Sequence, residues 1–165
     1  MDSVGKKFEE RFRKDFINSF NNDAWVYRLP DQISGYKTTS QNPCDFVCFT
    51  NKTLFLIECK TTKENTFNFN ELRQYDLLLA QQIPQPSTRG VVIWFYKQDT
   101  IIYAPIETIE KMKRDEKKSI NCKKTLDGID TKEYNLYIVP SQKLRTFMRS
   151  DYKLLWEIAN NDTNL

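Results

Sequence analysis

The chain has 165 residues, 39% of them hydrophobic and 28% charged, with a formal net charge of +3. This length suits one domain with a substantial core, and the sequence has neither an apolar run near the roughly 20 residues of a membrane helix nor a signal-peptide pattern. The absence of histidine excludes histidine-dependent triads, metal ligands and general bases. We therefore expect a single domain, residues 1–165, whose chemistry uses carboxylates, lysine, tyrosine, thiols or a metal.

The four cysteines predict structural thiols. They occupy positions 44, 48, 59 and 122, show no C-x-x-C spacing, and three of them lie in apolar segments. A buried cysteine behaves as a small hydrophobic residue. We therefore expect reduced cysteines and a cytoplasmic location.

The first predicted element is an amphipathic helix that Asp2 or Ser3 can cap. Five apolar residues recur every four positions along one stripe: Val4, Phe8, Phe12, Phe16 and Phe20. At about 100° per residue, Glu9 lies beside this stripe, whereas Glu10 faces water. Glu9 therefore either pairs with a nearby basic side chain or contributes to a functional site.

A predicted strand over residues 24–29 precedes a polar connection, residues 30–43. A connection of this length without an element of its own is more often functional than not. It carries Lys37, so we expect it to contact a polyanion.

Two apolar runs, residues 45–49 and 54–57, flank the turn Thr50-Asn51-Lys52-Thr53 and predict a β-hairpin. If Asn51 and Lys52 form a two-residue loop, Asp45 lies directly opposite Glu58. Directly opposed side chains share a face, with Cβ atoms roughly 5 Å apart. The alternation of a strand places Lys60 on that face too.

Two carboxylates this close repel each other unless a cation lies between them. Mg²⁺ or Mn²⁺, held by Asp45, Glu58 and the backbone carbonyl of Cys59, with Glu9 as a direct or water-mediated ligand, meets this need. Lys60 can orient a water molecule or stabilise charge on a phosphate. The predicted chemistry is metal-assisted hydrolysis of a phosphodiester. The alternative is a surface ion pair between Lys60 and one carboxylate.

The remaining elements are predicted from apolar spacing and turn residues. In chain order they are a polar loop at 61–68, a helix at 71–82 capped by Asn70, a strand at 91–96 after Gly90, its hairpin partner at 100–104, a charged helix from Pro105 to about Lys118, a strand at 134–139, one or two helices after Pro140 and a frayed tail at 160–165. Lysines and arginines crowd the first helix and residues 111–124. These clusters indicate either a polyanion-binding surface or solvated helix faces.

Three segments together resemble the PD-(D/E)xK nuclease superfamily, and more closely the RecU-type Holliday-junction resolvases of Gram-positive bacteria and their phages. The segments are Gly5-Lys-Lys-Phe-Glu9, Cys44-Asp45-Phe46-Val47 and Phe55-Leu-Ile-Glu58-Cys-Lys60-Thr-Thr-Lys63, followed by Asn65-Thr-Phe67-Asn-Phe69 and Gln74. The resemblance runs from Gly5 to about Val139. One departure is Cys44 before Asp45, with Pro43 one residue earlier than the superfamily name implies.

The resemblance implies an α/β, restriction-endonuclease-like fold with a central mixed β-sheet flanked by helices. It implies a Mg²⁺-dependent homodimer, with no nucleotide cofactor or membrane partner, that cleaves four-way DNA junctions symmetrically. The implied catalytic residues are Glu9, Asp45, Glu58 and Lys60, and the expected DNA contacts are Lys37, Lys63, Arg73, Gln74, Lys6 and Lys7. The family's junction-entering stalk would correspond to residues 30–43, which are shorter here. The short N-terminus favours a phage or mobile-element protein.

Two other interpretations stay open at this stage. A restriction-type or repair nuclease would act on linear duplex DNA, although no recognition element for reading a groove is evident. A DNA-binding module on the same fold would bind branched DNA without cutting it. Intact Glu58 and Lys60 favour an enzyme over such a module.

Overall fold

The structure is a computed structural model that describes residues 3–31 and 41–161. Its α-helices are α1 (Val4–Ser19), α2 (Tyr75–Ala80), α3 (Ile106–Arg114), α4 (Cys122–Leu126) and α5 (Lys153–Asn161). Its strands are β1 (Trp25–Arg28), β2 (Phe46–Thr50), β3 (Thr53–Thr62), β4 (Thr66–Asn68), β5 (Ser87–Phe95), β6 (Thr100–Pro105), β7 (Ser119–Asn121), β8 (Tyr137–Ile138), β9 (Ser141–Lys143) and β10 (Met148–Ser150). Two 3₁₀ turns cover Phe69–Glu71 and Asp130–Lys132.

Six strands form one central sheet in the order β1-β2-β3-β5-β6-β8. Strands β3 and β5 run parallel, and the other neighbours are antiparallel. Strands β4 and β7 form a separate two-stranded sheet, as do β9 and β10. A central mixed sheet flanked by helices confirms the predicted α/β fold class.

Each face of the central sheet packs against its own hydrophobic core. On one face, Leu56 and Ile93 join residues of α2, α3 and the β4–β7 sheet. On the other face, Phe55 and Ile57 join α1, α5 and β10. Because residues alternate along a strand, the face of Leu56 is also the face of Glu58.

Helix α1 confirms the predicted apolar stripe at all four phenylalanines, although Val4 is exposed. Ser3 is the capping residue, since its Oγ accepts a hydrogen bond from the backbone N–H of Lys6 at 3.2 Å. This bond satisfies one of the unpaired donors at the start of a helix. The stripe fixes the helix against the sheet and leaves Glu9 at the border of the packed surface.

The β2–β3 hairpin has the predicted register, because Thr50 pairs with Thr53 and Phe46 with Ile57. Asn51 and Lys52 both adopt positive φ angles, 47° and 60°. Such angles suit the two-residue turns whose twist matches that of antiparallel strands. The turn therefore places Asp45, one residue before β2, opposite Glu58.

Several predicted boundaries are wrong, and long-range pairing explains most of the differences. The polar loop at 61–68 is the end of β3 followed by β4, which pairs with β7 from a distant part of the chain. The helix predicted at 71–82 begins only at Tyr75, after a 3₁₀ turn that Asn68 caps. Strand β5 begins at Ser87, before Gly90.

The C-terminal third also differs from the prediction. Helix α3 ends at Arg114, and the strand expected at 134–139 is reduced to Tyr137–Ile138. The chain after Pro140 forms the β9–β10 hairpin before its helix, α5. Helix α5 continues through Asn161, so it includes the first two residues of the tail predicted at 160–165, while 162–165 lie outside the described part.

The four cysteines are free and buried, as expected. Within residues 3–31 and 41–161, no helix is long and apolar enough to cross a membrane.

Candidate active site

Asp45 and Glu58 face each other at one end of the β2–β3 hairpin. Asp45 Oδ2 accepts a hydrogen bond from the backbone N–H of Cys59 at 2.9 Å, which anchors its carboxylate to the neighbouring strand. The side chain of Asp45 remains 16% exposed, whereas that of Glu58 is only 3% exposed. The pair therefore has one accessible carboxylate and one buried carboxylate.

Glu58 is held in an environment that opposes its ionisation. Burial, and next the negative charge of Asp45, raises the pKa of Glu58 to about 8, while Lys60 acts in the opposite direction. Its Oε2 is buried and has no hydrogen-bond partner in the described part of the chain. A carboxyl group in this setting either keeps its proton or needs a nearby cation to be stable in its ionised form.

Lys60 lies on the same face of β3, and its Nζ is 3.5 Å from Oε1 of Glu58. This is the ion pair that the sequence offered as the alternative to a catalytic site. Because Lys60 remains 24% exposed, its ammonium group can also reach a bound phosphate. The structure thus brings Asp45, Glu58 and Lys60 together as the hairpin register predicts.

Glu9 approaches the same place from α1 but is engaged by an arginine. Arg28, the last residue of β1, donates from Nε to Glu9 Oε2 at 2.9 Å and from Nη2 to Oε1 at 3.3 Å. Burial raises the pKa of Glu9, an effect that the hydrogen bond from Arg28 opposes. Glu9 therefore pairs with a basic side chain, which is one of the two roles that the sequence predicted for it.

Arg28 is a site residue that the sequence reasoning missed. Its Nη2 lies 3.8 Å from Oδ1 of Asp45 and its Nη1 3.1 Å from Oδ1 of Asp31. It also donates to the carbonyl of Leu29. The sequence indicates this position only once β1 is paired with β2, because Arg28 then lies opposite Phe46, the residue after Asp45.

A shallow cavity of about 300 Å³ opens beside Asp45. Arg73 and Gln74, two of the predicted DNA contacts, line it together with Arg28 and Asn42. The Oε1 atom of Gln74 is buried without a partner in the described residues. The cavity therefore offers cations and an unsatisfied amide next to the accessible carboxylate.

Cys44 lies against the two carboxylates and is not a thiolate. Burial, together with the charges of Glu58 and Asp45, raises the pKa of its thiol to about 12. Its Sγ donates to the carbonyl of Phe46 at 3.3 Å. A thiol that keeps its proton is a poor nucleophile.

The other predicted DNA contacts are scattered. Lys63 is exposed after β3, and Lys6 is exposed in the first turn of α1. Lys7 lines a different cavity, between α1 and the β9–β10 hairpin. Lys37 lies outside the described residues. The structure therefore does not gather Lys6, Lys7 and Lys63 around the cavity beside Asp45.

The residues present fit a divalent cation with few protein ligands. Across residues 3–31 and 41–161, no group of three or more histidine, cysteine, aspartate or glutamate side chains has the arrangement of a metal site. Asp45 and Glu58 form a pair, because Arg28 engages the third carboxylate, Glu9. Mg²⁺ typically binds through one or two carboxylates, with water and substrate phosphate completing its shell, so this pair suits it.

Comparisons with known proteins find similarity among solved structures. No protein-family model and no curated protein matches the chain. Among solved structures, the chain is similar to Archaeoglobus fulgidus Hjc, described as a Holliday junction resolvase from an archaeal hyperthermophile. The TM-score is 0.49 and the identity 20%, over 71% of this chain and 88% of that chain.

Proposed function

We propose that the chain is a Mg²⁺-dependent endodeoxyribonuclease that resolves four-way DNA junctions by hydrolysing phosphodiester bonds. The observation that supports this most directly is the opposed pair of Asp45 and Glu58 beside Lys60. A buried carboxylate oxygen without a partner is rare because it costs free energy. A divalent cation bound between Glu58 and Asp45 would give this oxygen its missing partner and would offset the repulsion between the two carboxylates.

Asp45 and Glu58 would hold the Mg²⁺ ion, and Mn²⁺ would substitute for it. The ion would polarise a phosphoryl oxygen and lower the pKa of a bound water molecule. The hydrogen bond from the backbone of Cys59 keeps Asp45 oriented towards Glu58. The Cys59 carbonyl, proposed as a further ligand, follows Glu58 directly along β3. Glu9 would join the ligands only if it left Arg28.

Lys60 would stabilise the negative charge that develops on the phosphate during hydrolysis. Its ammonium group already lies near Glu58 and is partly exposed, so it can move to a phosphate oxygen without being desolvated first. Arg28 and Arg73 border the cavity beside Asp45 and would hold the flanking phosphates of the cleaved strand. Gln74 would orient Lys60 or one of these phosphates.

The choice of branched DNA rests on the sequence resemblance, above all on the run Glu58-Cys-Lys60-Thr-Thr-Lys63 and the phenylalanine that follows it. Resolution of a four-way junction needs two cuts on opposed strands, so we propose that two copies of the chain act together as a homodimer. The connection at residues 30–43, which includes Lys37, would contact the crossover.

A second candidate function has a specific observation in its favour. The Arg28 guanidinium already lies near Asp45 and neutralises part of its charge. A side-chain cation in this place suits a module that binds branched DNA without cutting it. The two candidates differ in one measurable property, which is cleavage in the presence of a divalent metal.

The test is cleavage of a synthetic four-way junction and of its matching linear duplex, each with Mg²⁺ and with EDTA. We expect cuts in the junction only with Mg²⁺, and at least about 100-fold less cleavage by Asp45→Asn. The matched control is Asp127→Asn, an exposed residue after α4, which should cut normally. Equal cleavage of the linear duplex would point to a restriction-type or repair nuclease, and binding without any cuts would support the second candidate.

A further inference from the structure

A second cavity, of about 370 Å³, lies on the opposite face of the sheet from Asp45. It is enclosed by the start of α1, the facing ends of β5 and β6, and the β9–β10 hairpin. Its volume falls within the roughly 300–1,000 Å³ of typical small-ligand pockets. None of the steps proposed for the carboxylate site uses it.

Aromatic rings form much of the cavity wall. The rings of Phe8 and Trp94 lie with centroids 5.6 Å apart and planes inclined by 34°. Phe147, from the β9–β10 connection, lines the same cavity and remains 37% exposed. Flat aromatic surfaces in a partly open cavity favour a flat aromatic ligand.

Trp94 lines the cavity with the carbon atoms of its ring. Its indole Nε1 is buried and makes no hydrogen bond within residues 3–31 and 41–161, so a ligand in the open cavity does not reach it. An aromatic surface of this kind suits stacking with a base.

Basic side chains surround the mouth of the cavity. Lys7 and Arg145 line it, are exposed and have no ion pair among the described residues. Arg11 lies over the Phe147 ring at 4.4 Å and is also paired with Asp15. The rim therefore has free positive charge to offer an anion.

The cavity is close to the carboxylate site along the chain. Phe8 directly precedes Glu9 in α1, and Trp94 is paired with Thr61, the residue after Lys60. A nucleic acid strand that leaves the site around this edge of the sheet would therefore meet the cavity.

We propose that this cavity binds one unpaired nucleotide of a DNA substrate. The base lies among the rings of Phe8, Trp94 and Phe147, while its phosphates contact Lys7 and Arg145. This inference rests on the proposed function, because it assigns the cavity to the same substrate. It adds that unpaired bases next to the branch point are part of what the protein recognises.

The test compares two single-stranded oligonucleotides, oligothymidylate and the same length of abasic backbone, by fluorescence anisotropy in EDTA. We expect the protein to bind the base-bearing strand about fivefold or more tightly, since stacking on aromatic side chains stabilises a bound base. Trp94→Leu, which replaces the ring with an aliphatic side chain, should reduce that preference about threefold. Phe147→Ala, at an exposed position outside the buried core, should reduce it to a similar extent.

Two controls separate the possible outcomes. Trp25→Leu changes an exposed tryptophan on β1, away from this cavity, and should keep the full preference. Equal binding of both strands by the wild-type protein would overturn the inference, and so would an unchanged preference in both cavity variants. Displacement of the bound, labelled oligothymidylate by decanoate but not by thymidine monophosphate would also overturn it. Because no cleavage is measured, loss of cutting by the metal site would leave these results unchanged.

Discussion

The Nη2 atom of Arg28 lies 3.8 Å from Oδ1 of Asp45, while the Nε of the same guanidinium donates to Glu9 at 2.9 Å. One side chain from β1 thereby links α1 to the start of β2 at the carboxylate site. Opposite charges at this distance attract even near a protein surface. Arg28 is therefore the cation that balances Glu9 and Asp45, and it competes with any divalent ion for them.

The first prediction is that Arg28→Gln strengthens metal binding. Removing the guanidinium removes its repulsion of a bound Mn²⁺ ion and frees Glu9 as a further ligand. We expect affinity for Mn²⁺ to rise about three- to tenfold, which corresponds to roughly 1 kcal/mol of lost repulsion. Isothermal titration calorimetry without DNA measures this directly. Arg13→Gln, which changes an arginine paired with exposed Glu10, should leave the affinity unchanged. Weaker binding by Arg28→Gln would mean that Arg28 supports the site.

The second prediction concerns the dependence of stability on pH when EDTA has removed divalent ions. Folding raises the pKa of Glu58 from 4.5 to about 8. Between these values the folded chain keeps a proton that the unfolded chain releases, so the free energy of unfolding should fall as the pH rises. Glu58→Gln has no carboxyl group to titrate at this position, so its free energy of unfolding should not fall in this way. Relative to wild type, the variant should gain at least about 1 kcal/mol between pH 5 and pH 8.5, the equivalent of roughly one pKa unit.

Urea unfolding at a series of pH values measures this effect. Glu157→Gln, at an exposed position on α5, is the matched control and should follow the wild-type curve. Added Mg²⁺ should flatten the wild-type curve, because a bound cation favours the ionised pair and stabilises only the folded chain. If wild type and Glu58→Gln run parallel across the window, Glu58 ionises normally in the folded protein.

The local sequence was sufficient to predict how the central residues of the site are arranged. The two-residue turn at Asn51 and Lys52 sets the register of β2 against β3, and register then places Asp45 opposite Glu58. The spacing of the phenylalanines likewise predicted which face of α1 packs against the sheet. Both features depend on residues near one another in the chain, where turn chemistry and periodicity act directly.

The missed features depend on distant partners. Strand β4 exists because it pairs with β7, and Phe69 donates from its backbone to the carbonyl of Lys118. The β9–β10 hairpin consists largely of exposed residues, so it lacks the alternation that marks a half-buried strand. The role of Arg28 could be seen only after β1 was paired with β2, because nothing in the strand itself indicates which carboxylates it meets.

The third prediction is that Gly90→Ala destabilises the central sheet. A Cβ atom at Gly90 would lie 2.4 Å from the backbone oxygen of Ala104 and 2.8 Å from the ring of Tyr103. The backbone of a buried strand cannot move away without breaking its pairing, so we expect a loss of about 1–3 kcal/mol. Gly5→Ala is the matched control, since its nearest neighbour would be the Ser3 Oγ at 3.8 Å. Thermal denaturation should show a lower melting temperature for Gly90→Ala alone, and equal melting temperatures would show that β5 and β6 can separate at this point.

The fourth prediction concerns Asp15, a buried carboxylate on α1 that holds the C-terminal segment. Its Oδ2 accepts the backbone N–H of Ser150 at 3.0 Å, and its Oδ1 accepts two bonds from Arg11. Asp15→Ala would leave a buried backbone donor unpaired and Arg11 without its carboxylate. Each loss is costly in a buried setting, so we expect the free energy of unfolding to fall by about 2–4 kcal/mol.

The matched variant is Glu10→Ala on the same helix, whose carboxylate is exposed and paired only with Arg13 and Lys14. Exposed pairs of this kind contribute at most about 1 kcal/mol, so its urea midpoint should stay close to that of wild type. Hydrogen exchange at the Ser150 amide gives a second readout, since Asp15→Ala should accelerate exchange there and Glu10→Ala should not. Similar midpoints for the two variants would mean that the β9–β10 hairpin is held by its apolar contacts with α1, not by this carboxylate.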